Sequence, residues 1–216
     1  MDSSPAFQSQ TFHALVEALA ARTPTPGGGS GAALAGALGA ALGCMAVRFS
    51  YGKKGEPGEH DAVLAKVDAA LLAAAGALQQ LADEDAASFE AVRTARKLPQ
   101  SSPAEKAARE AAIAAATAHS AEVPLQTARV AREGMELIDG ALSVLNVRLA
   151  TDAGSGALLL RAGARAAAWN VLVNLVGDDS PAAQARRGEV AKLLARAEEL
   201  ERRAVAWTER ALLPPG

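Results

Sequence analysis

Three consecutive glycines and a serine form the segment of this sequence with the clearest potential to bind a ligand: Gly27, Gly28, Gly29 and Ser30. Glycines at the entry to a helix let the backbone approach a ligand closely, and the free N–H groups of the first helical turn favour a carboxylate or a phosphate. The same residues could instead make only a tight entry turn for a helix that begins buried. A P-loop is excluded, because no Gly-Lys-Ser/Thr follows the glycines and no parallel sheet is expected.

Carboxylates and lysines farther along the chain could move protons or hold an anionic substrate. Asp83, Glu84 and Asp85 are adjacent within a long predicted helix, so their side chains point in different directions and one is expected to face inward. A carboxyl group held against an apolar wall has a raised pKa and can act as a proton shuttle. Lys53 and Lys54 lie in a glycine-rich loop and could bind an anion. An ordinary charged helix face and a solvated lysine pair are the alternatives.

Two amides lie four residues apart in an otherwise apolar helix, so Asn170 and Asn174 share one face. Buried amides need hydrogen-bond partners, which could be backbone groups of neighbouring helices or the polar edge of a heterocycle. Asp152 precedes Asn170 by 18 residues on the same face, which in a helix is a separation of roughly 27 Å. Asp152 therefore cannot share one reacting centre with the two asparagines, and helix capping is the alternative role for it.

The histidines and the cysteine do not form a metal site or a catalytic triad in this sequence. His13, His60 and His119 have no histidine or cysteine three or four residues away, so neither a structural nor a catalytic metal is predicted. No spacing of serine, histidine and aspartate residues in the sequence indicates a catalytic triad. The single cysteine, Cys44, cannot form an intramolecular disulfide and favours a reducing compartment.

The composition predicts that helices position all of these residues. Half of the residues are apolar, only 3% are aromatic, and alanine and leucine supply most of the apolar mass, which is typical of closely packed helices. We expect an all-α antiparallel bundle of six or seven helices in a single domain, 1–216. The predicted helices cover residues 7–22, 31–50, 60–97, 103–137 with a break or kink at Pro124, 153–176 after a cap at Thr151–Asp152, and 181–212.

The helix that follows the glycines is apolar enough to raise the question whether it spans a membrane. Residues 31–47 are nearly free of polar side chains, but 17 residues are fewer than the roughly 20 that span a bilayer, and Arg48 ends the run. We therefore expect this helix to lie inside a soluble bundle and to be buried on all of its sides. The residues Met1–Pro5 contain neither a basic nor an apolar signal region, so the cytoplasm is predicted. A net charge of −2 argues against a general nucleic-acid binder.

Nine segments form an ordered series along the chain: Pro24–Ser30, the Gly/Ala-rich helix, Tyr51–Lys54, Asp85 with Phe89, Lys97–Pro99, Glu105–Arg109, Val123–Leu125, Thr151–Gly154 and Asn170–Leu175. Taken in this order, they resemble the cyclodeaminase/cyclohydrolase family of folate enzymes. The resemblance runs from about residue 5 to residue 205, and its specificity comes from the ordered sum of its motifs. The sequence departs from the family pattern at Gln100, Leu145–Arg148 and Ser155–Gly156, so the geometry around Asp152 is the least secure to transfer.

The resemblance implies a helical subunit that forms a homodimer and binds a tetrahydrofolate derivative near the glycines, with no further cofactor. The family contains a methenyltetrahydrofolate cyclohydrolase and a formimidoyltetrahydrofolate cyclodeaminase, and the absence of a fused formiminotransferase domain favours the cyclohydrolase here. By the same resemblance, Asp85 is the expected acid/base and Lys53 an electrostatic anchor or second proton donor. Gly27–Ser30 would bind a polar edge or carboxylate of folate. The asparagines would orient the pterin, and Asp152 is included among the substrate-binding candidates. A non-catalytic folate-binding or scaffold protein is the alternative of another class.

Overall fold

The computed structural model describes residues 6–53 and 56–213, and within these ranges it forms six α-helices and no β-sheet. The α-helices are α1 Phe12–Ala20, α2 Gly28–Arg48, α3 Asp61–Arg96, α4 Pro103–Ala141, α5 Ala150–Asn174 and α6 Pro181–Leu212. Short 3-10 turns cover Phe7–Ser9 and Val147–Leu149. The expected all-α bundle is confirmed.

Local capping chemistry accounts for where several helices begin. The Ser102 hydroxyl accepts a hydrogen bond from Glu105 N, and the Glu105 carboxylate accepts one from Ser102 N, which completes a capping box at the start of α4. Ser180 accepts from Ala183 N, and a proline follows at the first helical position of α6. These signals are local, so the predicted starts at residues 103 and 181 are confirmed.

The structure corrects several of the predicted helix boundaries. The first predicted helix, 7–22, is a 3-10 turn followed by the shorter α1, because the Thr11 side chain caps a new helix by accepting from Ala14 N. Of the break or kink predicted at Pro124, the break is wrong, since α4 continues through the proline from Pro103 to Ala141. The fifth helix begins at Ala150 instead of 153, which places Asp152 inside the first turn and removes its expected capping role.

Close backbone packing between α2 and α5 forms the centre of the bundle. A Cβ added to Gly39 would lie 2.6 Å from Gly156 O, and one added to Gly163 would lie 2.7 Å from Ala32 O, so neither position has room for a larger residue. Because later residues of α2 meet earlier residues of α5, the two helices run antiparallel. The position of each end of α2 is therefore fixed by the glycines along its length.

The remaining long helices cover α2 and α5 from behind and from the sides. Helix α4 contacts α2, α3, α5 and α6, whereas α3 also packs beside α2 and α6 beside α5. Helix α2 is long and apolar enough to meet a length-and-composition test for a membrane span, and 61% of its most apolar window is buried inside the fold. The expectation of burial on all sides is wrong, because one side of α2 is uncovered: Leu38, Met45 and Phe49 are exposed there.

Candidate active site

The three glycines lie within a helix and its cap. Gly27 is the extended N-cap of α2, and the first helical hydrogen bond runs from Gly31 N to Gly27 O at 2.9 Å. The expectation of a glycine turn before a helix starting at residue 31 is therefore corrected, since Gly28, Gly29 and Ser30 form the first turn itself. Their N–H groups belong to the end of α2 that carries the positive pole of the helix.

Asp85 of α3 lies against this first turn. The Ser30 hydroxyl donates to Asp85 Oδ2 at 2.9 Å, and the carbonyl of Ala82 is a second acceptor at 3.1 Å. Ser30 is fully buried, whereas the Asp85 side chain is half-buried. A Cβ added to Gly29 would overlap the Asp85 carboxylate. The backbone of Gly29 has a conformation that any residue can adopt, so conformational freedom is not the reason for a glycine here. The reason is space, because only a glycine lets the Asp85 carboxylate approach this closely.

The environment of Asp85 favours its protonated form. Loss of hydration raises the pKa of the Asp85 carboxyl above its usual range, and the hydrogen bonds from the Ser30 hydroxyl and backbone N–H oppose part of that rise. Asp85 is therefore a half-buried carboxyl group with a raised pKa, and it lies against the first turn of α2.

The two neighbouring acids have other partners. Asp83 Oδ1 accepts a hydrogen bond of 2.7 Å from Phe7 N, which ties the N-terminal 3-10 turn to α3. Glu84 lies 3.4 Å from His119 Nε2 of α4, with both side chains about half exposed. Of the three consecutive acids, Asp85 is the one that contacts the glycine turn. The contact of His119 with Glu84 was not predicted from the sequence, because it depends on how α3 packs against α4.

Asn170 lies beside the same turn. A Cβ added to Gly28 would lie 3.3 Å from Asn170 Nδ2, and that amide donates to Ala166 O at 2.9 Å within α5. Among the described residues its Oδ1 atom has no hydrogen-bond partner, so it is free to accept from a ligand. Gly28, Ser30, Asp85 and Asn170 therefore line one end of the bundle, contributed by three helices.

Asn174 has a structural partner instead. It is exposed, and its Nδ2 atom donates to Ser120 O of α4 at 3.0 Å. Ser120 precedes Pro124 by four residues, and proline has no N–H to complete that helical hydrogen bond. Asn174 therefore supplies the donor that Pro124 lacks, which explains how α4 passes through a proline. The expectation that both amides are buried is wrong, since Asn170 is half-buried and Asn174 exposed.

Lys53 and Asp152 lie at the opposite end of the bundle. Lys53 is exposed and follows the C-terminal end of α2, in a loop where Gly52 N and Gly58 N both donate to the Asp61 carboxylate at 2.9 Å. Helix α2 has 21 residues, so its two ends are about 30 Å apart. Asp152 is in the first turn of α5, which is antiparallel to α2. Within one chain, neither side chain is brought to Asp85, and Lys54 lies outside the described residues.

Two concavities occur elsewhere on the surface. One of about 220 Å³ lies between α5 and α6. Another of about 410 Å³ lies between α4 and α6 and is lined mostly by charged side chains of both signs, among them Arg129, Arg132 and Glu189. Neither is lined by a predicted site residue. Over residues 6–53 and 56–213, no group of three His, Cys, Asp or Glu side chains is arranged to hold a metal ion.

Comparison with known proteins identifies close relatives over most of the chain. Residues 11–192 match the formiminotransferase-cyclodeaminase family model. The methenyltetrahydrofolate cyclohydrolase of Methylorubrum extorquens is 38% identical over 196 residues, which are 90% of this chain and 94% of that protein.

The formimidoyltransferase-cyclodeaminase of Gallus gallus is 35% identical over 75% of this chain, but the matched part is only 30% of that longer protein. The crystal structure of formiminotetrahydrofolate cyclodeaminase from Thermotoga maritima superposes with a TM-score of 0.82 at 26% identity, covering 95% of this chain and 99% of that one.

Proposed function

Because the chain belongs to the formiminotransferase-cyclodeaminase family, we propose that it is a methenyltetrahydrofolate cyclohydrolase, which converts 5,10-methenyltetrahydrofolate and water to 10-formyltetrahydrofolate. The observation that carries this choice is the end-to-end match to a cyclohydrolase, of which 94% is covered. The chain is an enzyme of tetrahydrofolate one-carbon chemistry whichever of the family's two reactions it catalyses.

Asp85 is the acid/base in this proposal. Water adds to the methenyl carbon, and the Asp85 carboxylate accepts a proton from it. The bond between that carbon and N5 then breaks, its electron pair returns to N5, and Asp85 delivers the proton there. One further proton is released to solvent because the methenyl substrate is a cation. The raised pKa of Asp85 supports a group that works in both directions.

The first turn of α2 would hold a polar edge or carboxylate of the folate. Gly27 and Gly28 expose backbone, and Asn170 offers its free Oδ1 atom to a donor on the pterin. For Gly29 and Ser30 we propose a shared role in shaping and orienting Asp85. Asn174 would contribute indirectly, because its amide is already used by Ser120.

The second candidate reaction is the cyclodeaminase reaction, favoured by the fold match to the Thermotoga maritima protein of that name. There N10 attacks the formimidoyl carbon on N5, and the N10 proton passes to the imine nitrogen, which becomes an amino group on a tetrahedral carbon. That amino group then receives a second proton, its bond to carbon breaks, and it leaves as ammonia, which gives the methenyl cation. The same acid/base position serves both reactions, because each forms a tetrahedral carbon between N5 and N10. Asp85 would protonate the departing amino group in this case.

The cellular setting follows the sequence expectations and is part of the proposal. We expect a cytoplasmic homodimer that requires no cofactor beyond its folate substrate and binds neither nucleic acid nor membrane. The uncovered apolar side of α2 supports dimerisation. Lys53 would act as an electrostatic anchor or second proton donor, and Asp152, at the same end of the subunit as Lys53, would bind the substrate.

Two absorbance assays test the function. Purified protein is given 5,10-methenyltetrahydrofolate, and the methenyl absorbance is followed against the spontaneous rate. In a second assay it is given 5-formimidoyltetrahydrofolate. A fall in the first assay, faster than in buffer, is the expected result. A rise in the second assay alone would replace the cyclohydrolase by the cyclodeaminase, and no change in either would refute both.

A further inference from the structure

Asp85 and Lys53 lie at opposite ends of the bundle, separated by the whole length of α2. Asp85 contacts the first turn of that helix, whereas Lys53 lies beyond its last turn, about 30 Å away. Lys53 is exposed, and its ammonium group has no ion pair among the described residues. Within a single chain these two groups are therefore too far apart to act on the same reacting carbon.

The surface between these two ends is apolar and uncovered. Helices α2 and α5 are covered behind by α4 and on their sides by α3 and α6, so their open sides face the same direction and form what we term the outer face. On α2 this face shows Leu38, Met45 and Phe49, which are 54%, 42% and 62% exposed. Between Ser30 and Arg48, α2 carries no charged side chain. A helix that is apolar all round is expected to be covered all round.

Helix α1 gives a second, independent sign that something covers this region. It has nine residues, none of which is buried, and Phe12 and Val16 are 73% and 47% exposed. An isolated helix of this length is marginal in water, so packing must stabilise it. Leu19 of α1 lies 3.9 Å from the position of a Cβ on Gly31, at the edge of the outer face. Helix α1 thus extends the apolar surface at the Asp85 end.

The extent of this surface fits a second copy of the chain. Six exposed side chains, Phe12, Val16, Leu38, Met45, Phe49 and Trp169, present on the order of 700 Å², close to the ~800 Å² per partner of a standard interface. A two-fold interface must be self-complementary, and an uncharged apolar helix meets that condition. The α5 part of the face carries an exposed charge, Arg165, so the contact is centred on α2.

On this basis, and taking the proposed function as given, we propose that each active site is completed by Lys53 of a second copy, packed antiparallel across the outer face. Leu38 is the central residue of α2, ten positions from both Gly28 and Arg48. A two-fold axis crossing α2 there places the partner's α2 C-terminus over this chain's α2 N-terminus. By the same register, the partner's Lys53 lies near Thr23, at the entrance to the glycine turn. A parallel arrangement would instead place the two copies of Lys53 together.

Hybrid dimers test the proposal directly. Chains carrying Asp85→Asn and Lys53→Ala are coexpressed with different tags, and the mixed dimer is isolated by two affinity steps. Each variant homodimer is expected to lose at least tenfold in turnover. The mixed dimer has one site with both native side chains and is expected to recover about half of the wild-type rate per dimer. A mixed dimer no more active than the two homodimers would overturn the proposal, as would full activity of the Lys53→Ala homodimer.

A cross-linking experiment gives a result that does not depend on activity. Chains carrying Thr23→Cys and Lys53→Cys are coexpressed so that mixed dimers form, and this mixture is treated with a short bis-maleimide; Cys44 is buried in both chains. Covalent dimers are expected from the mixture and not from Lys53→Cys alone. Cross-linking of Lys53→Cys to itself, or no cross-linking in the mixture, would overturn the antiparallel arrangement. If the wild-type protein were inactive on both folates but cross-linked as expected, the proposed function alone would fail.

Substitution on the outer face supplies the matched control. Leu38→Glu is expected to give a monomer in sedimentation, with a helical spectrum like the wild type and turnover reduced at least tenfold. Leu212→Glu places the same charge at a leucine of similar exposure, 59%, at the end of α6, and is expected to remain a dimer. A fully active Leu38→Glu monomer would show that one chain suffices.

Discussion

The hydroxyl of Ser30 and the carboxylate of Asp85 meet at 2.9 Å across 55 residues of chain. The contact joins the first turn of α2 to the middle of α3, and it is possible because Gly29 leaves space for the carboxylate. One hydrogen bond therefore connects the glycine segment, whose binding potential is visible in the sequence, with the acid expected to move protons.

Removal of the Asp85 charge tests the acid/base role. Asp85→Asn keeps the shape of the side chain but cannot accept a proton, so turnover should fall by about 10²- to 10⁴-fold, while substrate binding is largely retained. Steady-state and single-turnover kinetics with the preferred folate measure the change. Glu84→Gln is the matched control, since the adjacent Glu84 is exposed and contacts His119; it should keep nearly full turnover. Unchanged turnover in a folded Asp85→Asn protein would exclude the role.

The pH dependence of stability tests the environment of Asp85. Because the pKa of Asp85 is raised in the folded protein, its contribution to stability is complete below the ordinary aspartate pKa and is lost as pH rises through the folded value. Asp85→Asn should therefore be more stable than the wild type at pH 8, and the difference should shrink towards pH 4. Urea unfolding across this range measures it.

A second aspartate provides a control of opposite sign for that experiment. Asp178 accepts a hydrogen bond from Ser180 N at 2.9 Å, and this lowers the pKa of the Asp178 carboxyl. Asp178→Asn should consequently be less stable than the wild type at pH 8, and the loss should disappear as pH falls through the folded pKa. If Asp85→Asn behaved in the same way as Asp178→Asn, loss of hydration would not be the dominant effect at Asp85.

Two glycine substitutions separate the need for space from helix propensity. In Gly29→Ala the new Cβ overlaps the Asp85 carboxylate, so the acid must turn away from Ser30 and turnover should fall at least tenfold. Gly76→Ala lies inside α3, where no atom is within 4 Å of an added Cβ, and should stabilise the protein by about 0.5–1 kcal/mol. Turnover and urea unfolding of both variants are the measurements. Wild-type turnover in Gly29→Ala would show that the close approach is not required.

The sequence was informative where the determining interactions are local. The start of α4 follows from Ser102 and Glu105, and the start of α6 from Ser180, because these caps act within three residues. The choice of Asp85 from three consecutive acids came from family resemblance, and its contact with Ser30 could not be derived from periodicity. That contact depends on how α2 packs against α3, which in turn depends on where the small residues of α2 allow close approach.

The relative position of Lys53 shows the limit of such reasoning. Lys53 and the glycines border the same helix, and in the sequence they belong to one run of motifs. In three dimensions that helix separates them by about 30 Å. The length of a helix can be read from a sequence. Whether Lys53 of a second chain lies near the glycines of the first depends on how the two chains pack, which the sequence does not show.

The amide of Asn174 and the ring of Pro124 should be energetically coupled. Pro124 leaves the Ser120 carbonyl without its helical donor, and Asn174 Nδ2 donates to that carbonyl at 3.0 Å. Asn174→Ala should therefore lower the free energy of unfolding by about 0.5–1.5 kcal/mol, the usual range for one hydrogen bond. Turnover should stay near the wild-type value, in contrast to Asn170→Ala, which should raise KM.

The coupling is measured by adding Pro124→Ala, because an alanine N–H can donate to the Ser120 carbonyl in place of Asn174. In that background Asn174→Ala should cost little stability, so a double-mutant cycle in urea should give an interaction energy of at least about 0.5 kcal/mol. Since Pro124 is fully buried, Pro124→Ala alone also removes packing, and the cycle subtracts that effect. Equal costs of Asn174→Ala in both backgrounds would mean that water replaces the amide and that the two residues are not coupled.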